Sequence, residues 1–361
     1  MSQLMLMTIG LTLVAVIAAT GRAQEEVVVR DLRDSEAYDH SLCRRLAGLE
    51  SLPKRHGVWP RPQDPDQELR GGVTLVALVD GLLVGRAILE APYQPYCELV
   101  NLCVRPDYRG RGVATAIVRE SIRRAREMGS KYMVLQECLE DTQARGIYEK
   151  AGFLNATVGE MQRLIHLLDV PLVSAFLQDH PDAEFVSEPA TDFGERWWRL
   201  RWEADREHVT LYLHGGSCQS DSDGFQPVVQ ACEFARGDLA LSARVDMPKT
   251  VSRGELGQYR SPQRGLADLT VTVHNPGRTK FHGAIRAVLL PDTEPVSEFA
   301  AAAPQIELEP GDTATVRLPI RVRPEFRCEG QRFNSYPSAP FTAEICWEGG
   351  SILLSAAVRV E

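Results

Sequence analysis

A chain of 361 residues exceeds one ordinary core and points to two or three domains. Its 44% hydrophobic and 25% charged content is that of a globular protein, which excludes a fibrous or wholly disordered chain. A formal net charge of −9 excludes nucleic acid as a bulk partner, although one local basic turn still suits a phosphate.

The chain opens on "LMLMTIGLTLVAVIAAT", Leu4 to Thr20, an apolar run without a charge. It is long for a signal-peptide core and at the short limit for a membrane span. Residues 1–24 therefore read as a signal, as an anchor through residues 4–20, or as a mis-called start or disordered tail. Arg22, Arg30 and Arg33 come after the run, so an uncleaved anchor would leave the next domain on the cytoplasmic side.

From residue 25 to 168 strands and helices alternate. "VVVRDL" is a short β-branched strand, and Asp34 or Ser35 caps a helix with Leu42, Leu46 and Leu49 at helical spacing. The proline-rich stretch around Trp59 is a loop. Two β-rich runs then flank Asp80-Gly81, the dipeptide of a type I′ hairpin. A strand over Glu98–Val104 leads through "RPDYRGRG" into an amphipathic helix. Ala114, Ile117, Val118, Ile122 and Ala125 form its apolar face, and Gly129 suits its end. "KYMVLQE" is a further strand, and a short helix spans Asp141 to Lys150.

Residues 169–183 read as a linker containing a short helix. Residues 184–237 form a β-rich unit, either a separate hairpin or extra strands of the C-terminal unit. Residues 238–361 show short alternating runs broken by "NPG" and "EPGD", the pattern of an all-β sandwich of immunoglobulin-like kind. That half would serve protein or carbohydrate contact. Trp197, Trp198 and Trp202 offer a sugar-stacking reading, against which Trp198 and Trp202 share strand parity and are expected to face a core. The eight cysteines show no C-x-x-C spacing, and His208, His214, Cys218 and Cys232 fit no standard site, so no metal is expected. Free, mostly buried thiols are the simplest reading, with a disulfide in the C-terminal half as the alternative if that half is exported.

The turn "VRPDYRGRGVATAIV" carries the chemistry. A helix N-terminus exposes unpaired N–H groups and partial positive charge, glycines admit a ligand close to the backbone, and Arg109 and Arg111 add charge-assisted donors. A third glycine and a Walker lysine are missing, which argues against a dinucleotide fold or P-loop. Arg109-Gly110-Arg111-Gly112-Val113-Ala114 resembles the coenzyme A motif R/Q-x-x-G-x-G/A of the GNAT acetyltransferases. Downstream, "DTQARGIYEKAGF" resembles their second signature, with Ala144, Tyr148, Lys150, Gly152 and Phe153 in place and Asp141 where asparagine is more usual.

The resemblance implies an α/β (α+β) mixed sheet with helices on both faces, ahead of the sandwich. It implies that the amides of Gly110, Arg111, Gly112, Val113 and Ala114 hold the pyrophosphate of acetyl-CoA. The main chain of Leu102, Cys103 and Val104 would pair with the pantetheine arm, and Asp141 would lie at the coenzyme. Glu98, eleven residues before Arg109, falls where some members place a glutamate base acting through water, and Tyr148 falls where the acid to the leaving thiolate is found. A covalent route through Cys103 or Cys138 lacks a nearby histidine, so direct attack is expected. The acceptor is an amine-bearing small molecule or protein, flanked by the Trp59 loop and Ala91–Tyr96. The acidic balance favours a cationic one. The expected function is an N-acetyltransferase facing the cytoplasm, anchored to the membrane if residues 4–20 are retained. The alternative is a non-catalytic acyl-CoA-binding or adhesion protein on a degenerate transferase domain.

Overall fold

The computed structural model describes residues 26–47, 72–91, 94–137, 142–157, 162–215, 227–248, 250–251, 265–290, 293–296, 303–324 and 338–360. Residues 1–24, the Trp59 loop, Tyr93, Asp141, Cys138, Cys218 and Cys328 lie outside them. No described helix is long and apolar enough to cross a membrane.

The N-terminal half is built on a seven-stranded sheet of order β1-β2-β3-β4-β5-β7-β6. Its strands are β1 (Val27–Asp31), β2 (Gly72–Val79), β3 (Leu82–Glu90), β4 (Tyr96–Val104), β5 (Tyr132–Glu137), β6 (Leu154–Asn155) and β7 (Gln162–Leu167). Every pairing is antiparallel except β4 with β5. The β2–β3 turn is as expected: Asp80 (φ 50°) and Gly81 (φ 78°) are both left-handed, the backbone a type I′ turn demands.

Three helices flank this sheet: α1 (Ala37–Leu46), α2 (Val113–Glu127) and α3 (Thr142–Lys150). Alternation along the strands divides them between two faces. Ala77, Val79, Ala87 and Leu89 pack with Val113, Ile117, Val118 and Ile122 of α2. Val76 and Leu83 point the other way, onto Cys43 of α1. On α1 the expected leucines are not the anchor: Leu42 and Leu46 are exposed, and the thiol of Cys43 fills the buried position. Sulfur behaves there as a small hydrophobe.

Beyond β7, α4 (Pro171–Asp179) leads into two sheets that hold thirteen strands among the described residues. The larger contains β8 (Glu184–Pro189), β9 (Trp197–Ala204), β10 (Glu207–His214), β11 (Val228–Arg236), β12 (Leu239–Asp246), β14 (Leu266–His274), β16 (Thr293–Pro295) and β18 (Thr313–Val322). The smaller contains β13 (Thr250–Val251), β15 (Phe281–Val288), β17 (Gln305–Leu308), β19 (Ser338–Trp347) and β20 (Gly350–Val360). They stack as a β-sandwich. Residue 237 lies in the turn between β11 and β12 of one sheet, so residues 184–237 supply extra strands of the sandwich.

The two halves share one apolar core. Tyr96, Tyr132, Val134, Ala156 and Ile165 of the first sheet cluster with Leu200, Trp202, Leu211, Val229 and Leu354 of the sandwich. Within the sandwich, Asn275 of the "NPG" turn is fully buried. Its side-chain amide donates to the carbonyls of Thr279 (2.9 Å) and Leu308 (3.0 Å), and its side-chain oxygen accepts from Gly277 N–H at 3.0 Å. Its own carbonyl accepts from Gly311 N–H of the "EPGD" turn at 2.7 Å. One buried residue, through side chain and main chain, thus ties both turns together. Replacing Asn275 by alanine strips partners from buried carbonyls and is expected to destabilise the chain by about 2–3 kcal/mol in urea unfolding. A loss below about 1 kcal/mol would show the tie to be dispensable.

Candidate active site

The parallel pairing of β4 with β5 is short. Tyr96 faces Tyr132, Cys97 faces Met133 and Glu98 faces Val134, and there the register ends. β4 runs on to Val104 and β5 to Glu137. Past Glu98 the two strands therefore part, leaving backbone edges on either side of a cleft.

A bulge in β4 accompanies the parting. On β3, Arg86 faces Cys103 and Ile88 faces Val100, so Ala87 alone stands opposite both Asn101 and Leu102. Asn101 takes a left-handed backbone (φ 53°), which asparagine tolerates better than most residues. A bulge bends its strand and reverses side-chain parity beyond it. Leu102 and Val104 consequently pack toward α2. Cys103 turns to the α1 face, where the neighbouring Cys43 thiol lowers its pKa, burial opposes this, and Arg86 and Arg44 assist.

At the end of β4, a 3₁₀ turn over Pro106–Tyr108 leads to Arg109–Gly112 and then α2. Gly110 (φ 76°) and Gly112 (φ 84°) are left-handed, and Gly112 is the N-cap of α2 without a side-chain cap. The first bond into the helix runs from Ala116 N–H to Gly112 C=O at 2.9 Å, so the amides before it belong to no helical ladder. A Cβ placed on either glycine would meet nothing within 4 Å. The turn is thus an open cradle of backbone donors, as phosphate oxygens need. The arginines are engaged with the protein: Arg109 Nε donates to the Val104 carbonyl at 3.2 Å, and the Arg111 guanidinium stacks 4.9 Å from the Tyr108 ring centroid. Arg109 braces the end of the strand before it.

Glu98 is buried at 5% exposure and shares a sheet face with Tyr96. Directly across from it on β3 stands Glu90, a neighbour that local sequence does not reveal. Tyr148, on α3, is buried at 8% and packs edge-on against Phe153, with 5.7 Å between ring centroids. It clusters with Cys97 and Leu99, whose side chains leave β4 on the face opposite Glu98. The expected base and acid therefore flank the strand pair from opposite faces. Cys97 is buried, and desolvation pushes its thiol up to about 12.

One expectation changes here, and one, the shared core face of Trp198 and Trp202, is met. Tyr96 closes a loop assigned to the acceptor side, yet it is buried under the sandwich. The tryptophans form no sugar platform: Trp202 (5%) packs in the shared core with Trp198 beside it, while Trp197 (7%) lies on the other sheet face. Trp198 Nε1 donates to Ser187 Oγ at 2.9 Å. Among the described residues no group of three His, Cys, Asp or Glu is placed to hold a metal ion. Cys43, Cys97, Cys103, Cys232 and Cys346 are free thiols. A separate cavity of about 130 Å³, walled by Phe176, Phe234 and Trp347, lies between α4 and the sandwich and is lined by no residue of the cleft.

Comparison with known proteins meets this geometry. Residues 44–153 match the model of the Acetyltransferase (GNAT) family. This region is a GNAT acetyltransferase domain. An aminoglycoside N(6')-acetyltransferase type 1 from Stenotrophomonas maltophilia is 28% identical over 114 residues, covering 27% of this chain and 74% of that protein. The ribosomal-protein-S18-alanine N-acetyltransferase of Escherichia coli is similar in structure, at 17% identity over 39% of this chain and 91% of that one, with a TM-score of 0.32. The PaiA N-acetyltransferase of Thermoplasma acidophilum, solved in complex with coenzyme A, is 16% identical over 39% of this chain and 99% of its own, with a TM-score of 0.34.

The GNAT domain seats α2 on its sheet through Gly85 of β3. A Cβ there would stand 2.9 Å from Ile117 Cδ1, 3.0 Å from Val113 Cγ1 and 3.2 Å from the Cys103 carbonyl oxygen. The carbonyl cannot swing away as a side chain can. Gly85→Ala is expected to destabilise the chain by about 1–3 kcal/mol through overpacking, read by urea unfolding. A variant as stable as the parent would mean that α2 has room to lift.

Proposed function

We propose that the chain is an N-acetyltransferase that moves the acetyl group of acetyl-CoA to a primary amine by direct attack. The observation that carries this reading is the parting of β4 from β5 just past Glu98, beside a glycine turn open to the first amides of α2. The amides of Gly110 to Ala114 would bind the pyrophosphate, and the free edge of Leu102–Val104 would pair with the pantetheine arm as an added strand does. Asp141 would contact the coenzyme. Acetyl-CoA supplies the activated acyl carbon; the residues supply alignment and proton transfer.

In this reading Glu98 accepts a proton from the acceptor ammonium, through a water, leaving the nitrogen lone pair free to bond the acyl carbon. The carbon–sulfur bond breaks, Tyr148 gives its phenolic proton to the departing sulfur, and the second proton that nitrogen sheds as the amide forms passes to solvent, from which the phenol is reprotonated. Their placement on opposite faces supports that division, because an amine reaching the cleft from one side leaves the thiolate to the other. The acceptor is a small-molecule or protein amine. An aminoglycoside is the acceptor named for the Stenotrophomonas relative, and the net charge of −9 suits a cationic molecule of this kind. Acetyl-CoA as donor favours a cytosol-facing domain, anchored if residues 4–20 remain.

The test is acetyl-CoA titration calorimetry followed by thiol release with a panel of amines. Glu98→Gln and Tyr148→Phe are each expected to lower kcat by roughly 10²–10⁴ with little change in the KM for acetyl-CoA. Unchanged kcat in both would remove these proton-transfer roles. Absence of acetyl-CoA binding at millimolar concentration would end the proposal and leave a protein of the interaction class.

A further inference from the structure

The β4–β5 pairing is the seam of the first sheet. It has three registered pairs, whereas β2–β3 has eight and β5–β7 has six. Little within the sheet therefore holds its two parts at a fixed angle. Local ties add to the seam at its closed end: Lys131 N–H donates to the Pro95 carbonyl at 2.8 Å, and Gln94 Nε2 to the Met128 carbonyl at 2.9 Å.

The first residue on each side of the seam is a tyrosine, Tyr96 on β4 and Tyr132 on β5. Their rings stack at 4.9 Å between centroids, and both are almost fully buried. Each hydroxyl bonds to the sandwich, and between them they reach both of its sheets. Tyr96 Oη accepts from Val229 N–H of β11 at 2.9 Å. Tyr132 Oη donates to the Leu353 carbonyl of β20 at 3.0 Å. Burial raises the pKa of both phenols, so both remain neutral hydroxyls at working pH. β11 and β20 pack face to face in the shared core, through Val229 and Cys232 on one and Ile352 and Leu354 on the other. Both parts of the first sheet are thus tied to the same two-layer body, the β4 part at Val229 of β11 and Ser355 of β20, the β5 part at Leu353 of β20.

We infer that the β-sandwich sets the opening of the acyl-CoA cleft, and that Tyr96 and Tyr132 are positioning residues through which it does so. The inference rests on the proposed function of that cleft. A change in the angle between β4 and β5 at Glu98 and Val134 would be carried along the unpaired lengths to Val104 and Glu137. The free edge of β4 and the first amides of α2 lie along those lengths, so loosening the clamp separates groups that must engage one coenzyme together. On this reading the sandwich is a fixed part of the transferase rather than an appended module.

The experiment uses the full chain and four proteins: wild type, Tyr96→Phe, Tyr132→Phe and the double variant. Phenylalanine keeps the stacked ring and removes only the bond to the sandwich. The readouts are acetyl-CoA affinity by calorimetry and the KM for acetyl-CoA, at a temperature where unfolding curves show every protein folded. Asn275→Ala, which weakens the sandwich at its turns and touches neither tyrosine, is the control for lost stability. The expected result is an acetyl-CoA Kd raised about 5- to 20-fold in the double variant, less in each single variant, and unchanged in Asn275→Ala. Binding by the double variant equal to wild type would overturn the inference while leaving the functional reading intact. An equal loss in Asn275→Ala would overturn it too, by assigning the effect to stability. If wild type itself fails to bind acetyl-CoA, the functional reading falls and takes this inference with it.

Discussion

Everything at the candidate site depends on a parallel strand pair that begins and then stops. From Tyr96 to Glu98 the two backbones satisfy one another; beyond Glu98 their facing donors and acceptors are left to something else. Unpaired strand edges in a folded protein invite an extended guest. The bulge at Asn101 turns β4 aside, and the glycine turn then places bare amides at the far end of the opening. An elongated ligand with amide groups along its middle and phosphates at one end matches that order of features.

Much of this was legible locally. The hairpin at Asp80-Gly81 comes from two residues that accept positive φ. The α2 helix comes from apolar spacing between a glycine cap and Gly129; of its expected apolar face Ile117, Val118, Ile122 and Ala125 are buried and Ala114 is partly so. The Gly110–Ala114 turn stood out because two glycines and two arginines meet at a helix N-terminus. What local patterns could not show is pairing across long separations. Nothing near Glu98 announces that Glu90 will stand opposite. Tyr96 looked like a loop aromatic because its partner, the Val229 amide, lies 133 residues downstream. On α1 the leucine spacing pointed to the wrong face, because a single buried thiol sufficed where Val76 and Leu83 leave little room.

The sandwich read from sequence as a separate all-β half, and its strands do alternate as such strands should. Its larger sheet, however, presents β9, β10 and β11 to the first sheet, and the apolar side chains between them form one continuous core. Interfaces of that kind resemble the inside of a domain more than a contact between two. Ser187 Oγ, donating to the Asn155 carbonyl at 2.8 Å, extends the join to β6 at the sheet edge. The first sheet is therefore covered by helices on one face and, on the other, by α1 at one side and the sandwich at the other.

The Tyr132–Leu353 bond spans 221 residues. During synthesis the N-terminal sheet emerges long before β20 does, and domains generally begin to fold in that order. Until Leu353 has been made, the second tyrosine has no carbonyl to hold, and the apolar face around Val134 and Ile165 has nothing to cover it. A nascent or prematurely terminated chain would then carry the whole transferase sequence with its cleft unset and a sticky face exposed, a species for chaperones or proteases. Maturation of the N-terminal half is in this way made conditional on the arrival of almost all the chain described here.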